Sequence, residues 1–307
     1  MILLCGIRSE GPMAMVAREL DRLGTPVCWF DQRKSLEMRL ELEVDGRGVH
    51  GRLEGPGGGV ALDDVRAVYV RTMDDRLLPE VETLSMDAPE RLHVRSCHDR
   101  LLAWLEATPA RVVNRGSTQA SNASKPYQSQ LIVEAGFSVP QTLISNDPAA
   151  VLEFRAGHGR IVYKSMSGVR SIVKVMTDLD AERLERIRWC PVQFQEYVEG
   201  VDVRVHTVGD EVFAARVTSW AVDYRYSGRS GAPDPLIEAT ALEASLADRC
   251  RRLAARMGLE LAGIDLRIRP NGEVVCFEVN PSPAFSYYEE RTGLPIAAAV
   301  ARHLATA

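Results

Sequence analysis

The chain opens on an unbroken apolar run, Ile2-Leu3-Leu4-Cys5, followed by an amphipathic stretch over about 12–23 and a second apolar run over 26–30. That succession predicts strand, helix, strand: a buried first strand at the start of an open α/β sheet. Between 39 and 53 the period changes to two, in Leu40-Glu41-Leu42-Glu43-Val44, the turn Asp45-Gly46, and Val49-His50-Gly51-Arg52-Leu53. This reads as a hairpin. The run Gly55-Pro56-Gly57-Gly58-Gly59 reads as a loose connection. It is not a phosphate loop, because no Gly-Lys-Ser/Thr and no helical pattern follow it. A strand over 65–70 ending in Arg71, a helix over about 88–107 and a short strand over 111–114 complete the first third.

A boundary is expected in the polar stretch 115–124. Beyond it a helix over about 124–135 stops at Gly136, and 139–143 is extended because Pro140 disfavours helix in the residue before it. Asn146-Asp147-Pro148 forms an N-cap and proline entry to a helix over about 148–156. Strands follow at 160–165, 171–176 and 192–197, with a helix near 179–186. The last third predicts strands near 202–208, 211–219, 262–269 and 273–280, and helices over about 238–257 and 294–305. Hairpins with long helices on one face make this half α+β, after an α/β start. No internal repeat is visible.

At 307 residues the chain can bury a sizeable core and hold two or three domains. A hydrophobic fraction of 46% and a charged fraction of 26% are those of an ordinary globular protein. No apolar run approaches membrane-spanning length, and the first residues lack a basic segment and a small-residue cleavage site, so no membrane partner and a cytoplasmic location are expected. A net charge of −5 argues against nucleic acid as a partner. The six cysteines are scattered without a Cys-x-x-Cys pair, as reduced structural thiols are. His93, Cys97 and His98 lie close together, but no second cluster completes a zinc site. Only four of the 37 basic residues are lysines, Lys34, Lys125, Lys164 and Lys174. In an arginine-using chain each of these draws attention.

The segment Cys276-Phe277-Glu278-Val279-Asn280 follows Gly263-Ile264-Asp265-Leu266-Arg267 by one hairpin, turning at Arg269-Pro270-Asn271-Gly272. Glu278 and Asn280 are two apart and share a strand face. Folding the hairpin brings Asp265 beside them, giving two carboxylates and an amide oxygen, a set that suits Mg²⁺. A solvated acidic strand face would show the same residues. Upstream, Lys125 opens a helix, and Lys164 ends a strand before the small-residue loop that holds Ser167 and Gly168. A lysine so placed meets a polyphosphate as a point charge while loop N–H groups wrap it. Gln195-Glu196-Tyr197-Val198 is a strand that becomes a linker, able to offer backbone groups to a purine edge.

This order, lysine with helix, lysine with small-residue loop, Gln-Glu-aromatic hinge, Asp202-x-Arg204, then Asp265 and Glu278-x-Asn280, resembles the ATP-grasp ligases from about residue 112 to 305. It is most similar to the RimK-like branch. Phe277–Pro283 with Glu289-Glu290-Arg291-Thr292-Gly293, and Asn114 with Ala120-Ser121-Asn122, resemble the graspetide (microviridin-type) peptide maturases. The resemblance implies an ATP-grasp fold behind an N-terminal pre-ATP-grasp α/β domain, divided 1–115, 116–197 and 198–307. It implies that Lys125, Lys164, Ser167 and Gly168 contact ATP phosphates and that Gln195, Glu196, Tyr197 and Val198 hold adenine. Glu196 or Asp202 meets the ribose. Asp265, Glu278 and Asn280 hold Mg²⁺, as two ions, with Mn²⁺ as a substitute. Arg216 and Arg225 stand near the γ-phosphate and acceptor carboxylate, with Arg204 and Arg267 flanking the same face. The loop after Lys164 departs from many relatives in having one glycine, and Ser165 stands where a proline is usual.

The implied reaction is an ADP-forming ligation that makes C–N, or else C–O, bonds through an acyl phosphate. A peptide or protein with an acidic side chain or terminus is the expected substrate. A small amino acid as acceptor is the alternative, and a nucleotide-binding regulator without turnover is the alternative from another class. Whether the protein forms a homo-oligomer is not legible in the sequence.

Overall fold

The computed structural model describes residues 1–165, 173–219 and 233–307. The chain begins with β1 (Ile2–Gly6), helix Gly11–Arg22 and β2 (Val27–Asp31), and continues as an antiparallel meander of β3 (Arg39–Asp45), β4 (Gly48–Gly55) and β5 (Gly58–Ala61). It returns as β6 (Ala67–Arg71), crosses through helix Pro89–Ala107 and ends this part with β7 (Arg111–Val113). β2-β1-β6-β7 form a parallel sheet. The opening run is apolar at every position because its two faces serve two cores. Ile2 and Leu4 pack with Met13, Val16 and Leu20 and with the C-terminal helix Ile296–Ala305, while Leu3 and Cys5 pack with Leu101, Trp104 and the meander. The glycine run expected as a loose connection is instead a hairpin turn: Gly55 pairs with Gly58 around Pro56-Gly57, which adds β5 to the meander.

The middle of the chain builds an antiparallel sheet from β8 (Thr142–Ser145), β9 (Ile161–Ser165), β10 (Lys174–Val175) and β11 (Val192–Glu196), in the order β10-β9-β11-β8. Asp147 caps helix Pro148–His158 by accepting from the Ala149 N–H at 3.0 Å. The helix expected near 179–186 is one short turn, Asp178–Ala181, followed by a 3₁₀ turn over Leu184–Trp189. Leu184 and Ile187 reach the core at a spacing of three, which suits the tighter helix. Trp189, the last residue of this turn, is 89% exposed. Residues 171 and 172 of the expected strand 171–176 lie outside the described residues.

The last part is an antiparallel sheet, β14-β13-β12-β15-β16, of β12 (Val201–Val208), β13 (Glu211–Thr218), β14 (Leu236–Thr240), β15 (Leu261–Ile268) and β16 (Val274–Asn280). Helix Ala244–Arg256 covers one face with Leu246, Cys250, Leu253 and Ala254, the i, i+4, i+7, i+8 stripe, against Val203, Val205, Ile264 and Leu266. The helix expected from about 238 therefore starts later. Residues 236–240 pair with the edge of β13 instead, and Ile237, opposite Val217, is buried. A further helix, Ser286–Thr292, precedes the closing one. No helix among the described residues is long and apolar enough to cross a membrane.

Candidate nucleotide and metal site

The hairpin β15–β16 sets Asp265 directly opposite Glu278, and Gly263 opposite Asn280. A bulge beside the Asp265/Leu266 step makes Leu266 pair with Cys276, leaving Phe277 as the extra residue. Its effect is a change of parity. Cys276 and Val279, three apart, both enter the apolar core, so Glu278 and Asn280 emerge on the opposite face, beside Asp265. Strict alternation from Cys276 would have buried Glu278 among leucines. Asn280 donates from Nδ2 to Asp265 Oδ2 and to Glu278 Oε1, both at 3.2 Å. Turning its amide over puts Oδ1 in that position. Two carboxylates and an amide oxygen are hard donors that fit Mg²⁺, with phosphate oxygens and water to complete the shell.

Cations surround this group. Lys125, first residue of helix Lys125–Glu134, places Nζ 3.0 Å from Glu278 Oε2. Burial alone would push the Glu278 carboxyl up, but the ammonium charges of Lys125 and Lys164 prevail and hold it at about 2. Two of the four lysines, Lys125 and Lys164, thus bring their charge to the face that carries Glu278. Arg204 lies directly opposite Asp265 in register, 7% exposed, with Nη1 2.6 Å from Asp265 Oδ1. Its guanidinium runs beside the ring of Tyr288 and across Gly263, where a Cβ would stand 2.1 Å from Arg204 Nη2. His206 Nε2 lies 3.4 Å from Arg204 Nε. Burial first, and then the Arg204 charge, hold the His206 pKa well below its ordinary value, so the ring is neutral and can accept. Gly263 and His206 escaped the sequence reading, although a lone glycine inside a strand pattern signals close approach.

In the middle sheet, Tyr163 and Phe194 face the local core, so Lys164 and Gln195 share the other face. Gln195 is buried and donates to Thr142 Oγ1 at 3.0 Å. At the hinge, the Tyr197 N–H already donates to Arg160 O, at 2.9 Å. The Val198 N–H and the Tyr197 carbonyl have no hydrogen bond among the described residues, although Val198 is 1% exposed. A buried N–H without a partner is rare and points to a ligand. The two are the opposite ends of one trans peptide and point away from each other, so a purine edge on one side would meet the Val198 N–H alone.

The hinge is fixed from behind. Arg267 makes a two-pronged ion pair with Asp202 (2.7 and 2.9 Å) and donates to the Val198 carbonyl at 2.8 Å. Gly200, at φ +148°, passes so close to β15 that a Cβ would lie 2.2 Å from Ile268 O. Arg269 takes the Glu196 carboxylate at 3.1 Å. Of the acidic groups here, Glu199 is the exposed one with no ion pair among the described residues, and the sequence reading passed over it. Arg267 lies two residues from Asp265 on the same strand face, with its guanidinium engaged by Asp202 and the Val198 carbonyl of the hinge. Arg267→Met is expected to raise KM for ATP roughly tenfold with kcat within about twofold, since the binding lost is uniform. A fall in kcat with KM unchanged would instead assign Arg267 to the chemistry.

Arg216 does not join the site. Ala214, two residues before it, belongs with Val203 and Val205 on the helix-covered face, so Arg216 projects there too, exposed and opposite Glu238. Period two along β13 decides this against the expected place beside the γ-phosphate. Arg225, Ser167 and Gly168 lie outside the described residues.

The profile of the RimK-like ATP-grasp domain matches residues 122–304, more than half of the chain. The chain belongs to that family. It is 29% identical over 192 residues to a probable alpha-L-glutamate ligase of Xanthomonas oryzae pv. oryzae, a match covering 57% of this chain and 62% of that protein. The match thus spans less than two thirds of that curated relative's length. The solved ATP-grasp ligase PsnB, complexed with minimal precursor, Mg and ADP, superposes with a TM-score of 0.81 at 29% identity, over 99% of this chain and 96% of PsnB. Macrocyclase MdnC of Microcystis aeruginosa, bound with precursor peptide MdnA, superposes with a TM-score of 0.82 at 22% identity, over 100% and 99% of the two chains. The fold is ATP-grasp, with mixed α and β content, as the motifs implied.

Proposed function

We propose that this RimK-like protein is an ATP- and Mg²⁺-dependent carboxylate ligase acting on a peptide. The observation that carries this reading is the convergence of Lys125, Lys164 and Arg204 on Asp265, Glu278 and Asn280. The hinge, whose Val198 N–H has no partner among the described residues, follows β11 directly. An adenine ring nitrogen would accept from the Val198 N–H, and the ribose hydroxyls would meet Glu199, because Arg269 and Arg267 occupy Glu196 and Asp202. Lys125 and Lys164 would grip the phosphates, and Ser167 and Gly168 keep the loop role that the resemblance gives them.

Mg²⁺ bound by Asp265, Glu278 and Asn280 would neutralise charge on the phosphoryl oxygens during transfer. An acceptor carboxylate oxygen attacks the γ-phosphorus, the bond to the β–γ bridging oxygen breaks, and ADP leaves. Arg204 and Arg225 are the arginines proposed to steady the transferring phosphoryl group and the acceptor. An amine or hydroxyl then attacks the acyl carbon and loses its proton, and phosphate departs. Two metal ions and replacement by Mn²⁺ belong to the proposal, as does the division into 1–115, 116–197 and 198–307.

A peptide with an acidic side chain is favoured because PsnB and MdnC are both seen with precursor peptides. The glutamate-ligase name of the Xanthomonas relative favours a second reading, a small amino acid as the joined group. Release of ADP and phosphate, measured with Mg²⁺, ATP and pooled amino acids or acidic peptides, tests both. Acceptor-dependent release, with the acceptor pool that supports it, is the expected result. AMP and pyrophosphate as products would overturn the acyl-phosphate route.

A further inference from the structure

We propose that Gln128 is a positioning residue for the metal site, fastening the metal-binding strand to the helix that carries Lys125. Gln128 lies three residues after Lys125, one turn along the same helix face. It is 1% exposed, and its amide is used at both ends: Nε2 donates to the Val279 carbonyl at 2.9 Å, and Oε1 accepts from the Val279 N–H at 3.0 Å. Val279 is the residue between Glu278 and Asn280.

The need for such a fastener follows from the sheet. β16 is an edge strand, with β15 on one side only. Val279, opposite Ile264, turns its N–H and C=O outward, where a further strand would lie. Near the other end of the strand the Cys276 N–H is taken by Ser138 O at 2.8 Å. Between them sits the Phe277 bulge, which removes a ladder bond and loosens the strand's direction just before both ligands. Gln128 supplies the missing strand with one side chain. Its two parallel hydrogen bonds fix the plane of the Val279 peptides, and so the directions in which Glu278 and Asn280 leave the backbone. The same helix fixes Lys125 against Glu278, so phosphate grip and metal ligands form one rigid unit. A partner behind a ligand acts on affinity through orientation, worth roughly 10-fold or more when lost.

This inference rests on the proposed metal site. Its test is binding of Mn²⁺ in the presence of ADP, read from the free-Mn²⁺ spin-resonance signal, in wild type, Gln128→Met and Ile132→Val. Met is close in volume and offers neither hydrogen bond. Ile132, one turn further on the helix, is fully buried in the apolar core and serves as the packing control. The expected result is a Kd for Mn²⁺ at least about tenfold weaker in Gln128→Met, unchanged in Ile132→Val, with ADP affinity in the absence of metal equal in all three. Mn²⁺ binding by Gln128→Met as tight as wild type, or equal weakening in both variants, would overturn the role of Gln128. A wild type that binds no Mn²⁺ with ADP would overturn the metal site itself, and Gln128's role with it.

Discussion

Replacing Asp265 with Asn and Glu278 with Gln together is expected to lower acceptor-dependent ADP release by about a thousandfold while nucleotide still binds. The two carboxylates supply the charge of the proposed metal site. Losing an ion that stabilises a phosphoryl transition state removes several kcal/mol, and about 4 kcal/mol corresponds to ~10³ in rate. The proposed adenine contact lies elsewhere, at the Val198 N–H, and does not involve these side chains. The variant also leaves Arg204 and Lys125 beside neutral amides, two cations without their partners. That should cost some stability, so a thermal melt belongs with the assay. Phosphate release and equilibrium binding of a fluorescent ATP analogue decide the matter. Retained turnover would remove Asp265 and Glu278 from the chemistry, and lost nucleotide binding would show that they act on the nucleotide site as a whole.

Gly263→Ala is expected to cost about a hundredfold in kcat although it adds one methyl group. The new Cβ would lie 2.1 Å from Arg204 Nη2 and 2.7 Å from Pro283 Cβ. Pro283 is buried and its ring is stiff, so the guanidinium must give way. Arg204 is held by Asp265 and bordered by His206 and Tyr288, and any movement takes it off the carboxylate. Overpacking of this kind costs about 1–3 kcal/mol of stability, and a shift of ~1 Å at a reacting group costs about a hundredfold in rate. The expected signature is kcat down by about that factor with KM for ATP little changed, because the hinge is untouched. A wild-type kcat would show that the Arg204 position does not matter for transfer. A variant that fails to fold would be replaced by Arg204→Lys, which keeps the charge but loses the fork, and for which the same fall in kcat is expected.

Much of the fold was written in local patterns. The apolar run Ile2–Cys5, the period-two hairpin at 39–53 and the amphipathic helix stripes each report their element because burial acts on every residue of a strand or helix face. The ligase motifs were legible for a similar reason. Lys125, Lys164, Asp265, Glu278 and Asn280 are polar residues at positions where packing alone would choose otherwise, and their order matches the RimK-like family to which the chain belongs. Elements that depend on a distant partner were not legible. Residues 236–240 carry a pattern open to helix or strand, and the free edge of β13 decides for strand. The glycine run became a hairpin turn because β4 offered a second edge.

Side-chain assignments divide the same way. The sequence by itself determined which residue types could hold a nucleotide and a metal ion, since charge and donor chemistry are intrinsic to each residue. Tertiary structure alone decided where they face. A bulge one residue long turned Glu278 and Asn280 away from the core, while plain alternation sent Arg216 to the wrong side of the sheet. It also decided which charged groups remain available: Arg267 and Arg269 spend their charge on Asp202 and Glu196, and Glu199 is left exposed at the hinge. Pairing between residues sixty or more positions apart depends on register, and register is a property of the assembled sheet that no single strand encodes.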